Sequence, residues 1–116
     1  MAKILVVDTS LTMVELFSFT LTSHGHEVVR AISLSEALSM FTEDVDLVVA
    51  SDKLQDGTGY DLVCLLSEAR QGLIKVIILI DGLDDPSFQE HKCPYLVRSK
   101  PINYQRLVSD VTMMLG

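Results

Sequence analysis

The centre of the predicted architecture is the segment Asp46-Leu47-Val48-Val49-Ala50-Ser51-Asp52-Lys53-Leu54-Gln55-Asp56-Gly57-Thr58-Gly59. Its apolar run from Leu47 to Ala50 does not alternate with polar residues, which predicts a strand buried on both faces of a parallel sheet. The Asp-Gly and Thr-Gly pairs that follow mark a turn, and Thr58 is suited to cap a helix. The strand therefore delivers Ser51 and Asp52 to its carboxyl end, where open α/β sheets place their ligand sites.

The composition indicates one acidic globular domain. The chain has 116 residues, of which 48% are hydrophobic, and its formal net charge is −7. An acidic surface disfavours direct binding of nucleic acid or of an anionic membrane. Cys64 and Cys93 form no disulfide framework and are predicted to be cytosolic thiols. Because no apolar run approaches a membrane span and Met1-Ala2-Lys3 leads into a strand without a signal peptide, we expect a cytoplasmic protein.

Five strand–helix units follow one another along the chain. Strands are predicted at Ile4 to Val7, Glu27 to Ala31, Leu47 to Ser51, Val76 to Ile80 and around Leu96, with helices starting after Ser10, near Ser35, near Gly59 and after Asn103. Asp85 and Pro86 suit the start of a fourth helix and Pro94 its end, so this helix is expected to be short. The alternation predicts a doubly wound, flavodoxin-like α/β fold of five parallel strands in the order 2-1-3-4-5, with five helices.

The central segment also resembles the phosphoacceptor segment of response-regulator receiver domains, and the resemblance extends over residues 1–116. In that family the strand ends in an Asp, which is followed by two variable positions, an apolar residue, usually a Pro, and a turn containing Gly. Matching Leu54 and Gln55 to the apolar residue and the Pro puts Ser51 at the acceptor position, with Asp52 one residue beyond. The resemblance implies a bacterial two-component or phosphorelay signalling module.

The resemblance implies a site that this sequence keeps only in part. In receiver domains two acids after the first strand hold magnesium together with the acceptor Asp, a Thr or Ser follows the fourth strand, and a Lys-Pro pair follows the fifth. The equivalent positions here are Asp8 and Thr9 for the acid pair, Ser51 for the acceptor, Ile80 for the Thr or Ser, and Lys100-Pro101 for the Lys-Pro pair. Arg98 followed by Ser99 is the alternative for the last pair.

A pocket reduced to Asp8, Thr9 and Asp52 is a poor magnesium site, and a serine hydroxyl without a nearby base is a weak nucleophile. We therefore predict a pseudo-receiver that is not an enzyme and needs neither metal nor cofactor. The alternative is a working receiver, in which a slip of one residue brings Asp52 beside Asp8 to accept a phosphoryl group with magnesium. We favour Asp52 as a solvated or turn-capping residue and Asp56 as a turn residue.

A lysine offers a substitute for the missing metal. The ammonium group of Lys53 or Lys100 could pair with Asp8, although the simpler expectation for Lys53 is exposure to solvent. An Asp8 carboxylate beyond hydrogen-bond distance of every lysine nitrogen would exclude this hypothesis.

The first helix carries a candidate partner surface. If Met13, Leu16 and Leu21 face the core, then Val14 and Phe19 point outward. The resemblance implies that this helix meets a histidine kinase or a phosphotransfer partner, and it also implies effector domains as partners, with a homodimer left open. A flavodoxin-type domain that binds a small ligand is a further alternative, although the sequence has no glycine-rich loop after the first strand to cradle a phosphate.

Overall fold

The apolar runs of the sequence become strands, and the amphipathic segments between them become helices. The computed structural model describes residues 2–70, 74–81, 96–100 and 103–116. The elements are β1 (Lys3–Val7), α1 (Leu11–Ser23), β2 (Glu27–Ala31), α2 (Leu34–Met40), β3 (Leu47–Ser51), β4 (Lys53–Leu54), β5 (Gly57–Thr58), α3 (Gly59–Arg70), β6 (Val76–Asp81), β7 (Leu96–Lys100) and α4 (Tyr104–Leu115). None of these helices is both long enough and apolar enough to cross a membrane.

Five of the strands form one parallel sheet in the order β2-β1-β3-β6-β7. Because β4 and β5 form a separate antiparallel hairpin within the predicted loop, this is the predicted 2-1-3-4-5 order, and the flavodoxin-like fold is confirmed. The structure describes four helices. The short helix predicted between Ile80 and Lys100, together with Cys93 and Pro101, lies outside the described residues.

Each face of the sheet has its own hydrophobic core, and β3 contributes to both because its side chains alternate between the faces. Val48 and Ala50 belong to the cluster that includes Leu62 and Leu66 of α3. Leu47 and Val49 belong to the opposite cluster, which includes Phe17, Leu21, Leu107 and Val111 of α1 and α4. All five residues of β3 are buried, as the uninterrupted apolar run predicted.

Capping side chains fix the helix starts. Ser10, Ser33 and Asn103 each accept a hydrogen bond from the backbone N–H three residues later, at 3.3, 3.0 and 2.7 Å. The predicted caps at Ser10 and Asn103 are confirmed, and α2, predicted to start near Ser35, begins at Leu34 and is capped by Ser33. Gly25 follows the end of α1 with φ of 87°, a conformation that glycine adopts without strain.

The buried face of α1 differs from the prediction. Val14 is fully buried, whereas Leu16 is 39% exposed and Phe19 is 75% exposed. The buried positions 14, 17, 18, 20 and 21 lie on one side of the helix. Because α1 is apolar on most sides, with Glu15 its only charged residue, composition does not fix the rotation of the helix. The outward orientation predicted for Val14 is therefore wrong, and the exposure predicted for Phe19 is confirmed.

Candidate functional site

The carboxyl ends of three strands bring three polar side chains together. Asp8 directly follows β1, Ser51 ends β3 and Lys100 ends β7. Lys100 Nζ donates to Asp8 Oδ2 at 3.1 Å and to Ser51 Oγ at 3.1 Å. Since β6 lies between β3 and β7 in the sheet, the Lys100 side chain extends past the end of β6 to reach the centre. The cluster lies at the edge where parallel sheets place their ligand sites.

The Asp8–Lys100 ion pair is largely shielded from water. The side chain of Asp8 is 3% exposed and that of Lys100 is 17% exposed, and Ser51 is also buried. The second carboxylate oxygen, Asp8 Oδ1, accepts a hydrogen bond from the backbone N–H of Ser10 at 3.0 Å. A buried carboxylate requires such partners because removing it from water is costly. Asp8 is therefore held in one orientation through both of its oxygens.

Lys100, and not Arg98, contacts Asp8 and Ser51. Arg98 is directed to α4, where its Nε and Nη2 atoms lie 2.9 and 3.2 Å from the two carboxylate oxygens of Asp110. This pairing raises the pKa of Arg98 above its usual value, mainly through the hydrogen bond to Asp110. Lys53 is exposed. Of the lysines considered from the sequence as partners of Asp8, Lys100 makes the contact.

Ser51 and Asp52 have different environments despite being neighbours. Asp52 is only 8% exposed, so the expectation that it is solvated is wrong. Its backbone N–H donates to the carbonyl of Leu79 at 2.9 Å, which extends the hydrogen bonding of β3 by one residue, and its carbonyl accepts from Gly59 N–H at 2.9 Å.

The remaining predicted site positions carry no carboxylate. Thr9 is exposed beside Asp8. Ile80 is buried, with 4% of its surface exposed, and its neighbour across the β6–β7 ladder is Ser99, the residue before Lys100. An isoleucine side chain has no atom that can donate a hydrogen bond, so Ile80 contributes only packing at this edge.

The hairpin that follows Ser51 is anchored to α2 by Asp56. Its two carboxylate oxygens accept hydrogen bonds from the backbone N–H groups of Leu34 and Ser35, at 2.8 and 3.0 Å. These two hydrogen bonds favour the ionised carboxylate and so hold the pKa of Asp56 below its usual value. The bond from the Ser35 N–H has the larger effect, followed by that from Leu34. Asp56 therefore caps a helix more than 20 residues earlier in the chain, beyond the local turn role predicted for it.

The start of α3 packs directly against the end of β3. Thr58 and Asp61 each accept a hydrogen bond from the other's backbone N–H at 3.1 Å, a capping box that includes the cap predicted at Thr58. A Cβ atom placed on Gly59 would lie 2.6 Å from the carbonyl oxygen of Ser51. Only glycine, which has no Cβ, allows the two backbones to come this close. Gly59 therefore helps to position Ser51, the residue at the centre of the candidate site.

The donor atoms at this edge do not match a site for a divalent cation. Magnesium is usually held by one or more carboxylates in near-ideal octahedral geometry. Here the Oδ2 atom of Asp8 already contacts the Lys100 ammonium group, while Thr9 and Ser51 offer hydroxyl groups. Within the described ranges, no three His, Cys, Asp or Glu residues form a group that could hold a metal ion. A metal site would need further negatively charged ligands here, whereas this edge of the sheet carries the positively charged side chain of Lys100.

Comparison with curated proteins finds transcriptional regulators. No family model matches the chain. The transcriptional regulatory protein GlrR of Escherichia coli strain K12 is 30% identical over 112 residues, covering 95% of this chain and 25% of the regulator. The transcriptional regulatory protein QseF of Escherichia coli O157:H7 gives the same values. The chain thus spans about a quarter of the length of these curated relatives.

Comparison with solved structures finds the same architecture over nearly the whole chain. A response regulator receiver domain protein from Clostridium thermocellum has a TM-score of 0.88 at 26% identity, covering 99% of this chain and 94% of that one. The chemotaxis response regulator CheY4 of Vibrio cholerae has a TM-score of 0.85 at 22% identity, covering 98% of both chains. The HemR receiver domain from Leptospira biflexa has a TM-score of 0.88 at 20% identity, covering 100% of this chain and 95% of that one.

Proposed function

We propose that this chain, a CheY-like receiver domain of the two-component response regulators, signals by binding protein partners without being phosphorylated. The family rests on the receiver fold together with the similarity to the Clostridium thermocellum receiver and the curated regulators. Independence from phosphorylation is the new element, and it is argued from the residues at the carboxyl edge of the sheet.

The observation that carries the proposal is the serine hydroxyl at the end of β3, within hydrogen-bond distance of Lys100. Ser51 would have to lose a proton to attack a phosphoryl group, because a neutral hydroxyl is a weak nucleophile. Lys100 is paired with the Asp8 carboxylate, and an ammonium group has no lone pair to accept that proton. The contact between Lys100 and Ser51 therefore orients the hydroxyl without activating it.

The alternative acceptor, Asp52, is less favoured by its surroundings. It is buried and its backbone is hydrogen-bonded to β6 and to the start of α3. A one-residue slip that brought its carboxylate beside Asp8 would also turn all the side chains of β3 to the opposite face of the sheet. Because both faces of β3 are packed in separate cores, such a slip would disturb the whole centre of the domain.

The outer face of α1 is the partner surface in this proposal. Phe19 is 75% exposed, and Leu11 and Leu16 on the same helix are also exposed. Val14 is not part of the proposed surface, because it is buried. The expected partners are a histidine kinase, a phosphotransfer protein or an effector domain, with a second copy of this chain as the remaining option.

Phosphoryl transfer can be tested on the purified chain. The wild type, Asp52→Asn and Ser51→Ala are incubated with acetyl phosphate and magnesium chloride, and their intact masses are measured. We expect no protein to gain a phosphoryl group. A gain in the wild type that is lost in Asp52→Asn would establish the working-receiver alternative. A gain lost only in Ser51→Ala would establish serine as the acceptor, and either gain would overturn the proposal.

A further inference from the structure

We infer that the outer face of α1 binds a second copy of this chain, so that the domain forms a weak homodimer through two antiparallel α1 helices. The inference deepens the proposed function and rests on it, because it names the partner for the face of α1 that carries Phe19. It concerns self-association and not phosphoryl transfer, so each of the two claims can fail without the other.

A single line of exposed residues runs along α1 on the side opposite the core. This outer stripe consists of Thr12, Leu16, Phe19 and Ser23, which are spaced by four, three and four residues. The spacing is that of the contact line between two packed helices. The two large apolar side chains, Leu16 and Phe19, lie in the middle of the stripe and are 39% and 75% exposed. They are therefore accessible to a second helix.

Hydroxyl groups close to these large side chains already have hydrogen-bond partners within the helix. Ser23 Oγ donates to the carbonyl of Phe19 at 2.7 Å, and Thr20 Oγ1 donates to the carbonyl of Leu16 at 2.9 Å. A hydroxyl group that is bonded to the backbone loses less than an unpaired one when a partner excludes water. Covering the outer stripe therefore costs little in lost hydration.

The order of side chains along the outer stripe fits a second copy of the same stripe. Read from either end, it has a short hydroxyl residue, two large apolar residues and a short hydroxyl residue. When two such helices pack antiparallel about a two-fold axis, Leu16 of one copy faces Phe19 of the other, and Thr12 faces Ser23. Large side chains then meet large ones, which is the self-complementarity that a symmetric dimer requires.

The distribution of charge also favours a second copy. The chain has a net charge of −7, so two copies repel each other unless they meet through an uncharged surface. The outer stripe contains no charged residue, and Glu15 beside it is the only one in α1. In the antiparallel arrangement the two Glu15 residues are offset by five positions, or about 7.5 Å along the helices, so they do not face each other. A partner recognised by its charge would find no counterpart on this stripe.

The size of the contact limits its strength. With 13 residues, α1 is about 20 Å long, and its outer side is about 10 Å wide. The resulting strip of about 200 Å² is far smaller than the roughly 800 Å² that each partner buries in a standard stable interface. We therefore expect a weak dimer that forms at about 100 µM.

Sedimentation equilibrium of the unphosphorylated chain tests the dimer. Between about 10 µM and about 1 mM, the average mass should rise from 12.8 kDa toward twice that value. Phe19→Glu should weaken the association by about tenfold or more, because it places a charge in the centre of the contact. The matched control is Leu65→Glu, which adds the same charge at an apolar residue of α3 that is 41% exposed, and it should dimerise like the wild type. Circular dichroism confirms that both variants are folded.

A charge pair tests the antiparallel arrangement. Leu16→Lys alone and Phe19→Glu alone should each prevent dimerisation. The double variant Leu16→Lys/Phe19→Glu should recover at least about tenfold in affinity, because each lysine then faces a glutamate of the other copy. In a parallel pair, like charges would face each other and no recovery would occur.

Three results would overturn the inference: a wild type that stays monomeric up to about 1 mM, a dimer that Phe19→Glu leaves intact, or a double variant that associates no better than the single ones. The first result would leave the outer stripe to a partner of different sequence. A monomer that gains no phosphoryl group would refute the inference alone. A dimer that gains one would refute the proposed function alone.

Discussion

Replacing Val14 with alanine should destabilise the domain, whereas the same replacement of Phe19 should leave its stability almost unchanged. Val14 is fully buried against the sheet and Phe19 is 75% exposed. Val14→Ala removes two methyl groups from the core, each worth about 0.8 kcal/mol in transfer free energy. The cavity left behind adds to this loss, so the free energy of unfolding should fall by about 2–3 kcal/mol. Phe19→Ala should change it by less than about 0.5 kcal/mol.

Urea unfolding followed by circular dichroism measures both changes. Both variants introduce alanine into the same helix, and Val and Phe have similar helix propensities, so a difference in propensity does not separate the two variants. If α1 is oriented as described, the urea midpoint falls for Val14→Ala and stays near the wild-type value for Phe19→Ala, with equal slopes. A loss of more than about 1 kcal/mol for Phe19→Ala, with Val14→Ala nearly neutral, would refute this orientation of α1.

Four further substitutions test three contacts around the candidate site. Asp56→Asn should lower stability at neutral pH. Because the folded pKa of Asp56 lies below its ordinary 3.8, the advantage of the wild type should shrink as the pH falls below that value, which unfolding at several pH values measures. Gly59→Ala should cost about 1–3 kcal/mol in urea unfolding, because its Cβ meets the backbone oxygen of Ser51, whereas Gly57→Ala should cost less, because its Cβ meets side-chain atoms of Leu34 and Asp61 and no backbone atom. Asp110→Ala should lower the melting temperature, since it leaves the Arg98 guanidinium group without its buried carboxylate partner. Equal costs for the two glycine variants, a pH-independent Asp56→Asn effect, or a neutral Asp110→Ala variant would each contradict the corresponding contact.

Local patterns were sufficient to predict the sheet. The run from Leu47 to Ala50 contains no polar residue, and a strand of this kind is stable only when both of its faces are covered. The caps at Ser10, Thr58 and Asn103 depend on contacts within three residues, so they too could be predicted from sequence. The strand order follows from the number of alternating units and from the right-handedness of their connections.

The rotation of α1 could not be predicted in the same way. A hydrophobic face is identified by contrast with a polar face, and this helix has a single charged residue, Glu15, among its 13 residues. With so little contrast between its sides, the sequence of this helix allows more than one rotation. The structure selects the one that buries Val14 and Leu21 against the sheet, where α4 packs beside α1.

Contacts between distant segments of the chain could not be predicted from local sequence patterns either. The Asp56 carboxylate caps α2, more than 20 residues earlier, and nothing near Asp56 in the sequence indicates this partner. The choice between Arg98 and Lys100 at the site is similar, because it depends on Asp110 in α4 engaging Arg98. The sequence suggested that Asp8 pairs with a lysine, but which lysine makes the contact, and at what distance, could be seen only in the folded structure.

The most direct test of the central claim is the intact mass of the wild-type chain after incubation with acetyl phosphate and magnesium chloride. The account predicts an unchanged mass, because the hydroxyl of Ser51 stands beside an ammonium group already paired with Asp8. The addition of one phosphoryl group to the wild-type chain would contradict the account and identify this domain as a working phosphoacceptor.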